Sequence, residues 1–315
     1  MITLENLFDY VDSDLKVENC FLHCQRNPVC FKENKLYCHS NEYLNILKRA
    51  YYPSAKHVYL NFIDSYNKNI DFTEINEDCI YFLFNFWQGT AHGFASIWSL
   101  LIQYLEEKPE KKILFLRQSN KSFHDLLLKI IPRDKIIFLE LGKKYKIKNL
   151  NFYENQIHTW MDTYQNKLDF LVSRLLVGTV SSKEETVIIV KNSKEKKNTG
   201  IKCFYDYDKL LEFSKKNKGK LICPEDLTEI ETINMINNCK TLIVSWGTSY
   251  FKNFRLISDK CEKIICFVNK NTHYEKEYNT WKKLVINKNN HVYDKFKNAT
   301  VKYILTEDID VNLKI

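Results

Sequence analysis

The sequence predicts an α/β protein made of two doubly wound domains with a cleft between them, and three observations support this prediction. Short apolar segments rich in β-branched residues alternate with segments of helical periodicity from residue 56 to residue 268. The best linker in the chain, at Gly178 and residues 181–185, interrupts this alternation. At 315 residues with 44% apolar content, the chain is long enough to form two cores.

The first half of the chain carries a regular alternation of strands and helices. The predicted strands are residues 57–62, 79–86, 112–116 and 135–139, and the predicted helices are residues 96–105, 122–131 and 156–176. Residues 1–55 show no pattern that predicts an element. We therefore expect three parts: a first α/β domain at 1–180, a second at 181–285, and a terminal segment at 286–315 that closes the second domain or packs back on the first.

The second half is organised around residues 220–269. A short strand at 220–223 is stopped by Pro224, and a helix follows in which Thr228 is the predicted N-cap and Glu231 its capping-box partner. Further buried strands are predicted at residues 186–190, Thr241–Ser245 and Lys263–Val268. The strands at residues 220–223, 241–245 and 263–268, joined by two crossovers, are predicted to form a parallel βαβαβ unit.

The turn after the strand at residues 241–245 is a predicted phosphate site. Ligands of parallel sheets bind outside the carboxyl ends of the strands, where a turn that opens a helix presents unpaired N–H groups. Gly247, Thr248 and Ser249 occupy this position in the sequence. The alternative is an ordinary strand-to-helix connection, in which one glycine and two hydroxyl residues have no ligand.

Composition limits the class of protein and its compartment. No segment approaches the roughly 18 uninterrupted apolar residues of a membrane span, and the acidic N-terminus lacks the order of a signal peptide. The ten cysteines therefore predict free thiols in a reducing, cytoplasmic compartment, in a host cell if the protein is viral. A zinc site is not predicted, because the cysteines and histidines of the N-terminal region lack paired ligand spacing: Cys20, Cys24, Cys30, Cys38, His23 and His39.

The net charge of +8 comes mostly from lysines spread along the chain, with clusters at residues 143–148 and 191–197. Such an excess attracts phosphate-bearing ligands in general. It does not indicate nucleic acid, which calls for a basic stripe interleaved with stacking aromatic residues.

Two segments together resemble a known enzyme family. The run PEDLTEIET at residues 224–232, followed by a strand and the turn SWGTS, resembles the C-terminal signature of the DUF563 glycosyltransferases, family GT61. Residues 85–94, NFWQGTAHGF, resemble the family's N-terminal motif, in which an Asn and aromatic residues precede a His. Some hallmark residues differ: Thr232 stands where Gln is usual, Trp246 replaces His, and Ser249 replaces Gly.

The resemblance implies a GT-B-like fold of two Rossmann-like domains and an inverting transfer of sugar from a nucleotide sugar, with a UDP-sugar favoured and no metal required. The acceptor is a glycan or a protein-linked glycan. His92 matches the family's His and is the candidate base, since an imidazole accepts a hydroxyl proton near neutral pH. Its alternative role is a helix cap or a hydrogen bond within the core. Neighbouring residues of the motif are expected on the acceptor side: Asn85, Trp87 and Gln88.

The donor side needs fixed cations and N–H groups, because negative charge grows on the leaving diphosphate. Lys191 lies nearest the family's usual Arg, and Lys197 is the second candidate cation. The alternative for both is a solvated lysine loop. Glu225 and Glu231 are candidates to accept hydrogen bonds from ribose hydroxyls, and the alternative for Glu231 is its capping box.

Two other functions stay open at this point. The departures from the family pattern also fit a degenerate transferase that binds a glycan or nucleotide without turnover. A nucleic-acid-associated protein is supported only by the net charge, and a steep salt dependence of oligonucleotide binding would reveal it.

Overall fold

Two mixed β-sheets flanked by helices make up the described part of the protein, which confirms the predicted α/β class. The computed structural model describes residues 16–24, 29–32, 35–37, 52–82, 91–117, 121–153, 165–189, 207–245, 253–268 and 292–305. The chain divides into two compact units, Met1–Trp160 and Met161–Ile315, so the division precedes the boundary predicted at residue 180. Among the described helices, none combines the length and the apolar content needed to cross a membrane.

The first unit contains a seven-stranded sheet. Its strands are β1 (Lys16–His23), β2 (Val29–Lys32), β3 (Lys35–Tyr37), β4 (Thr73–Phe82), β5 (Lys112–Leu116), β6 (Ile136–Leu139) and β7 (Lys144–Tyr153), and its helices are α1 (Tyr52–Lys68), α2 (Ala91–Glu107) and α3 (Lys121–Ile130). The strand order is β3-β2-β1-β7-β4-β5-β6. Strands β7, β4, β5 and β6 are parallel, and β1 to β3 add an antiparallel meander next to β7.

The prediction of a strand at residues 57–62 is wrong, because these residues lie inside α1. A half-buried strand would bury alternate side chains, whereas the neighbours Phe62 and Ile63 are both buried and Leu60 and Asp64 are both exposed. That pattern belongs to one face of a helix. Pro53 is compatible with the helix since it lies in the first turn, where its missing N–H is not needed.

Strand β4 begins before the start predicted at residue 79, and strands β1 to β3 lie in a region for which no element was predicted. The early part of β4 is polar, and its exposed side chains pair across the strand with β7. Asp78 accepts a hydrogen bond from the Asn149 side-chain amide, and Lys146 Nζ lies 3.4 Å from Glu74 Oε1. Polar cross-strand pairs of this kind stabilise a strand without the apolar alternation that sequence patterns detect.

The second unit contains a six-stranded sheet. Its strands are β8 (Thr186–Ile189), β9 (Lys220–Ile222), β10 (Thr241–Ser245), β11 (Lys263–Val268), β12 (Val292–Phe296) and β13 (Ala299–Leu305), and its helices are α4 (Gln165–Leu175), α5 (Tyr207–Lys216) and α6 (Glu229–Asn238). The order is β12-β13-β11-β10-β8-β9, and every neighbouring pair is parallel except β12 with β13.

The predicted strands of this half are present and parallel, but β8 lies between β9 and β10. The described part of the terminal segment, β12 and β13, belongs to the second sheet through the pairing of β13 with β11. The connection around residue 180 is held to α6: Asn234 Nδ2 donates to the Val180 carbonyl oxygen at 2.7 Å.

The core of the second unit covers both faces of the sheet. Ile188, Ile243 and Ile265 point to one face, where they pack with Phe213 of α5 and Phe267 of β11. Their strand neighbours alternate to the other face and are buried as well: Val187, Ile189, Leu242, Val244 and Ile264. A sheet that is buried on both faces leaves its strand ends as the exposed, ligand-accessible part.

The predicted free thiols are confirmed for the eight cysteines that the structure describes, of which seven are buried. Burial raises the pKa of the Cys79 thiol to about 12, with nearby acidic groups adding to the effect. Such neutral thiols are poor nucleophiles. Cys38 and Cys203 lie outside the described residues.

Candidate functional site

Three strand ends lie side by side at the carboxyl edge of the second sheet. Ile189 of β8 pairs in register with Ile222 of β9, and Ile188 pairs with Ile243 of β10. The strand order reverses here, since β9 lies on one side of β8 and β10 and β11 lie on the other. In open α/β sheets, ligands bind at the carboxyl edge where the strand order reverses.

Each of these three ends leads directly into a segment with candidate donor-binding residues. Lys191 follows the end of β8 by two residues, and Gly247 follows the end of β10 by two. Glu225 follows β9 within the short 3₁₀ helix Pro224–Asp226. The topology therefore places the origins of all three segments together. Several of the predicted side chains lie outside the described residues: Lys191, Lys197, Gly247, Thr248 and Ser249.

The first sheet has a similar reversal at β4. Strands β5 and β6 lie on one side of β4 and β7 lies on the other. The carboxyl end of β4 at Phe82 precedes the segment that contains the predicted acceptor-side residues, which lie outside the described ranges: Asn85, Trp87 and Gln88. His92 is the second residue of α2, so its backbone belongs to the first turn of that helix.

Glu231 is the one candidate donor residue whose side chain is described, and it forms the predicted capping box at the start of α6. Its Oε2 accepts a hydrogen bond from the Thr228 backbone N–H at 2.8 Å, and the Glu231 N–H donates to Thr228 Oγ1 at 3.2 Å. Bonds from the Thr228 backbone and hydroxyl lower the pKa of Glu231. The structural role of Glu231 is thus confirmed, and its contact with a ribose stays a prediction.

Replacing Thr228 with alanine is expected to destabilise the second unit by about 1 kcal/mol, because α6 loses its N-cap. Since the pKa of Glu231 is lowered from its ordinary value of 4.5, the cap stabilises above that pH and its contribution is lost as the pH falls through the lower folded-state pKa. Urea unfolding at pH 7 measures the loss of the N-cap. Alanine at position 228 keeps the backbone N–H that Glu231 Oε2 binds, so the pH effect is measured with Glu231→Ala at pH 7 and at pH 3. A loss of stability in Glu231→Ala that is as large at pH 3 as at pH 7 would contradict the role of the ionised cap.

The same substitution separates the two roles of Glu231. Thr228→Ala and Glu231→Ala each break one of the two reciprocal hydrogen bonds of the capping box, but only Glu231→Ala removes a carboxylate that a ribose would use. Equal nucleotide affinity in the two variants would leave Glu231 with its cap alone.

The structure also brings together a group of side chains that the sequence patterns did not single out as a site. Arg117 directly follows β5, and its guanidinium carbon lies 5.6 Å from the centre of the Phe138 ring of β6. The His124 ring of α3 lies 5.0 Å from the same ring, and Arg133 lies over it at 4.7 Å. The one available signal was an Arg at a predicted strand end followed by a helix that carries a His.

His23 is excluded as a base near neutral pH. It is buried and stacks on Phe62 with 5.0 Å between the ring centres. Burial first, and then the charge of Lys144, lower its pKa to about 4. His23 pairs with the amino end of β7, at the opposite edge of the sheet from the end of β4.

The described ranges contain no group of three or more His, Cys, Asp or Glu side chains arranged to hold a metal ion. No family model matches the chain, and no curated protein matches it.

Proposed function

We propose that this protein is an inverting glycosyltransferase that moves a sugar from a nucleotide sugar, with a UDP-sugar favoured, to a hydroxyl of a glycan or a protein-linked glycan. The observation that carries the proposal is the reversal of strand order in the second sheet, because all three donor-like segments begin at that edge. In this proposal the two units are the Rossmann-like halves of a GT-B-like enzyme.

The proposed reaction is a single displacement. His92 takes the proton of the acceptor hydroxyl, and the oxygen forms a bond to the anomeric carbon of the donor sugar. The bond from that carbon to the diphosphate breaks, and its electron pair leaves with the nucleoside diphosphate. Lys191, Lys197 and the backbone N–H groups at Gly247 to Ser249 stabilise the charge that develops on the leaving group.

Attack from the face opposite the leaving group inverts the anomeric centre. The resemblance implies that fixed cations take the place of a metal ion.

The buried free thiols support a reducing compartment, and we therefore place the reaction in the cytoplasm.

A degenerate transferase is the second candidate, because Trp246 and Ser249 differ from the family pattern and the Glu231 carboxylate is held by its capping box. Such a protein would bind the nucleotide sugar and neither transfer nor hydrolyse it. An assay of sugar release from a bound donor separates the two functions.

Ligand-induced stabilisation tests the donor site. A nucleotide sugar at about 100 times its Kd is expected to stabilise the folded protein by about 2.7 kcal/mol, because it binds only the native state. UDP-, GDP- and CMP-sugars are compared by thermal unfolding. Lys191→Ala, or valine in place of Gly247, is expected to reduce the effect, whereas Lys260→Ala is a matched control for the loss of one exposed lysine before β11. Stabilisation of the Lys191 and Gly247 variants equal to that of the parent would remove these residues from the donor site.

A further inference from the structure

Arg117, His124, Arg133 and Phe138, here called the Phe138 cluster, lie beside the proposed acceptor side. Arg117 immediately follows β5, which is the parallel neighbour of β4, and Tyr81 of β4 pairs in register with Leu114. The carboxyl ends of β4 and β5 are therefore adjacent on one sheet edge. The first leads to the segment of Asn85 and His92, and the second leads to Arg117.

The cluster concentrates positive charge around one half-buried ring. Arg117 and Arg133 are exposed, and both guanidinium groups lie over Phe138, at 5.6 Å and 4.7 Å from its centre. A guanidinium that contacts an aromatic face keeps its N–H donors in its own plane, where they fit the two oxygens of a carboxylate or a phosphate. The side chain of Arg117 is thus held in place while its hydrogen-bonding edge is left for an oxyanion.

Glu140 lies near Arg117 but does not neutralise its charge by direct pairing. Glu140 lies close enough to Arg117 for its pKa to be lowered slightly, but its carboxylate binds Lys143 at 2.8 Å, and that bond is the main cause of the shift. Within the described ranges, Arg117 makes no ion pair. Arg133 uses part of its donor set within the fold, since its Nη1 donates to the Ile136 carbonyl oxygen at 2.9 Å. Arg117 is therefore the main anion ligand, and Arg133 adds positive charge at the same ring.

The pKa of His124 responds to the same positive charge of Arg117. Partial burial lowers its pKa, the charge of Arg117 lowers it further, and Asp125 on the same helix opposes them. An anion bound at Arg117 would offset the positive charge and favour the protonated imidazole. The protonated ring would then add a third cation to the site.

We propose that the Phe138 cluster binds an acidic group of the acceptor, a carboxylate or a phosphate carried by a sugar, and so makes this protein selective for anionic acceptors. The identity of the ligand as an acceptor rests on the proposed transferase function. The anion site itself rests on the position of Arg117 at the strand end, its contact with Phe138 and the charge of its neighbours.

Histidine-ring NMR of the full chain tests the anion site without an enzyme assay. His124→Gln identifies the signal of His124. Inorganic phosphate, compared with chloride at equal ionic strength, is expected to raise the pKa of His124 by about one unit. Glucose 6-phosphate and glucuronate separate a phosphate from a carboxylate ligand, and glucose is the neutral control.

Variants then assign the response to Arg117. Arg117→Gln is expected to abolish the shift, and Arg117→Lys to retain part of it, because lysine keeps the charge without the planar fork. Arg174→Gln removes an exposed arginine charge from α4 and is expected to leave the shift unchanged. An equal response in Arg117→Gln and the parent, or the absence of a response to all three anions, would overturn the proposal.

Failure of the anion site and failure of the transferase function give different results. A response that depends on Arg117 in a protein that uses no donor sugar would retain the anion site and reject the acceptor. In an active enzyme, Arg117→Gln is expected to raise the KM for acidic acceptors by about tenfold or more and to leave the KM for neutral acceptors unchanged. An equal change in both KM values would overturn the selectivity for acidic acceptors.

Discussion

Replacing His92 with alanine is expected to lower the rate of sugar transfer by about 100- to 10,000-fold, the usual contribution of a general base. The affinity for the nucleotide sugar is expected to stay nearly unchanged, because the donor-like segments begin in the second sheet and His92 lies in the first turn of α2. A turnover assay combined with a nucleotide titration measures both quantities. Turnover equal to that of the parent would remove His92 as the base.

Two further measurements distinguish a proton acceptor from a residue that merely caps the helix. Added imidazole is expected to restore part of the activity of the alanine variant, because a free base can occupy the space of the lost ring. The parent enzyme is expected to show a pH-rate limb near neutrality that the variant lacks. His23 cannot supply that limb, since burial lowers its pKa to about 4.

Replacing Phe213 with alanine is expected to lower the free energy of unfolding by about 3–5 kcal/mol. Phe213 is fully buried on α5, and its ring lies 6.3 Å from that of Phe267. It packs against Ile188 of β8 and Ile243 of β10, the two strands between which the order of the sheet reverses. The loss is a large share of a typical stability of about 5–15 kcal/mol, so the sheet edge that carries the candidate donor site would be weakened with it.

Phe170→Ala is the matched control, because this phenylalanine of α4 is 55% exposed. Its effect is expected to stay within about 0.5 kcal/mol. Urea unfolding gives the two free energies, and hydrogen exchange shows whether β8 and β10 lose protection. Equal losses of stability in the two variants would contradict the packing role of Phe213.

Much of the second unit follows from local features of the sequence. The strands Thr241–Ser245 and Lys263–Val268 begin and end where their apolar runs do, because each is buried on both faces. The capping box of Thr228 and Glu231 was predictable because both of its hydrogen bonds join residues three positions apart. The candidate segments after the strands were found in the same way, by the change from apolar to polar residues.

Features that depend on distant residues were not predictable from these patterns. The segment 57–62 suited a strand locally, but the burial of Phe62 and Ile63 against the rest of the first unit favours a helix. The position of β8 between β9 and β10, which places the three donor-like segments at one edge, depends on pairing between strands far apart in the chain. Arg117 and Arg133 meet at Phe138 for the same reason. Short-range periodicity and capping are set by neighbouring residues, whereas pairing and side-chain clusters arise only when the sheet assembles and buries them together.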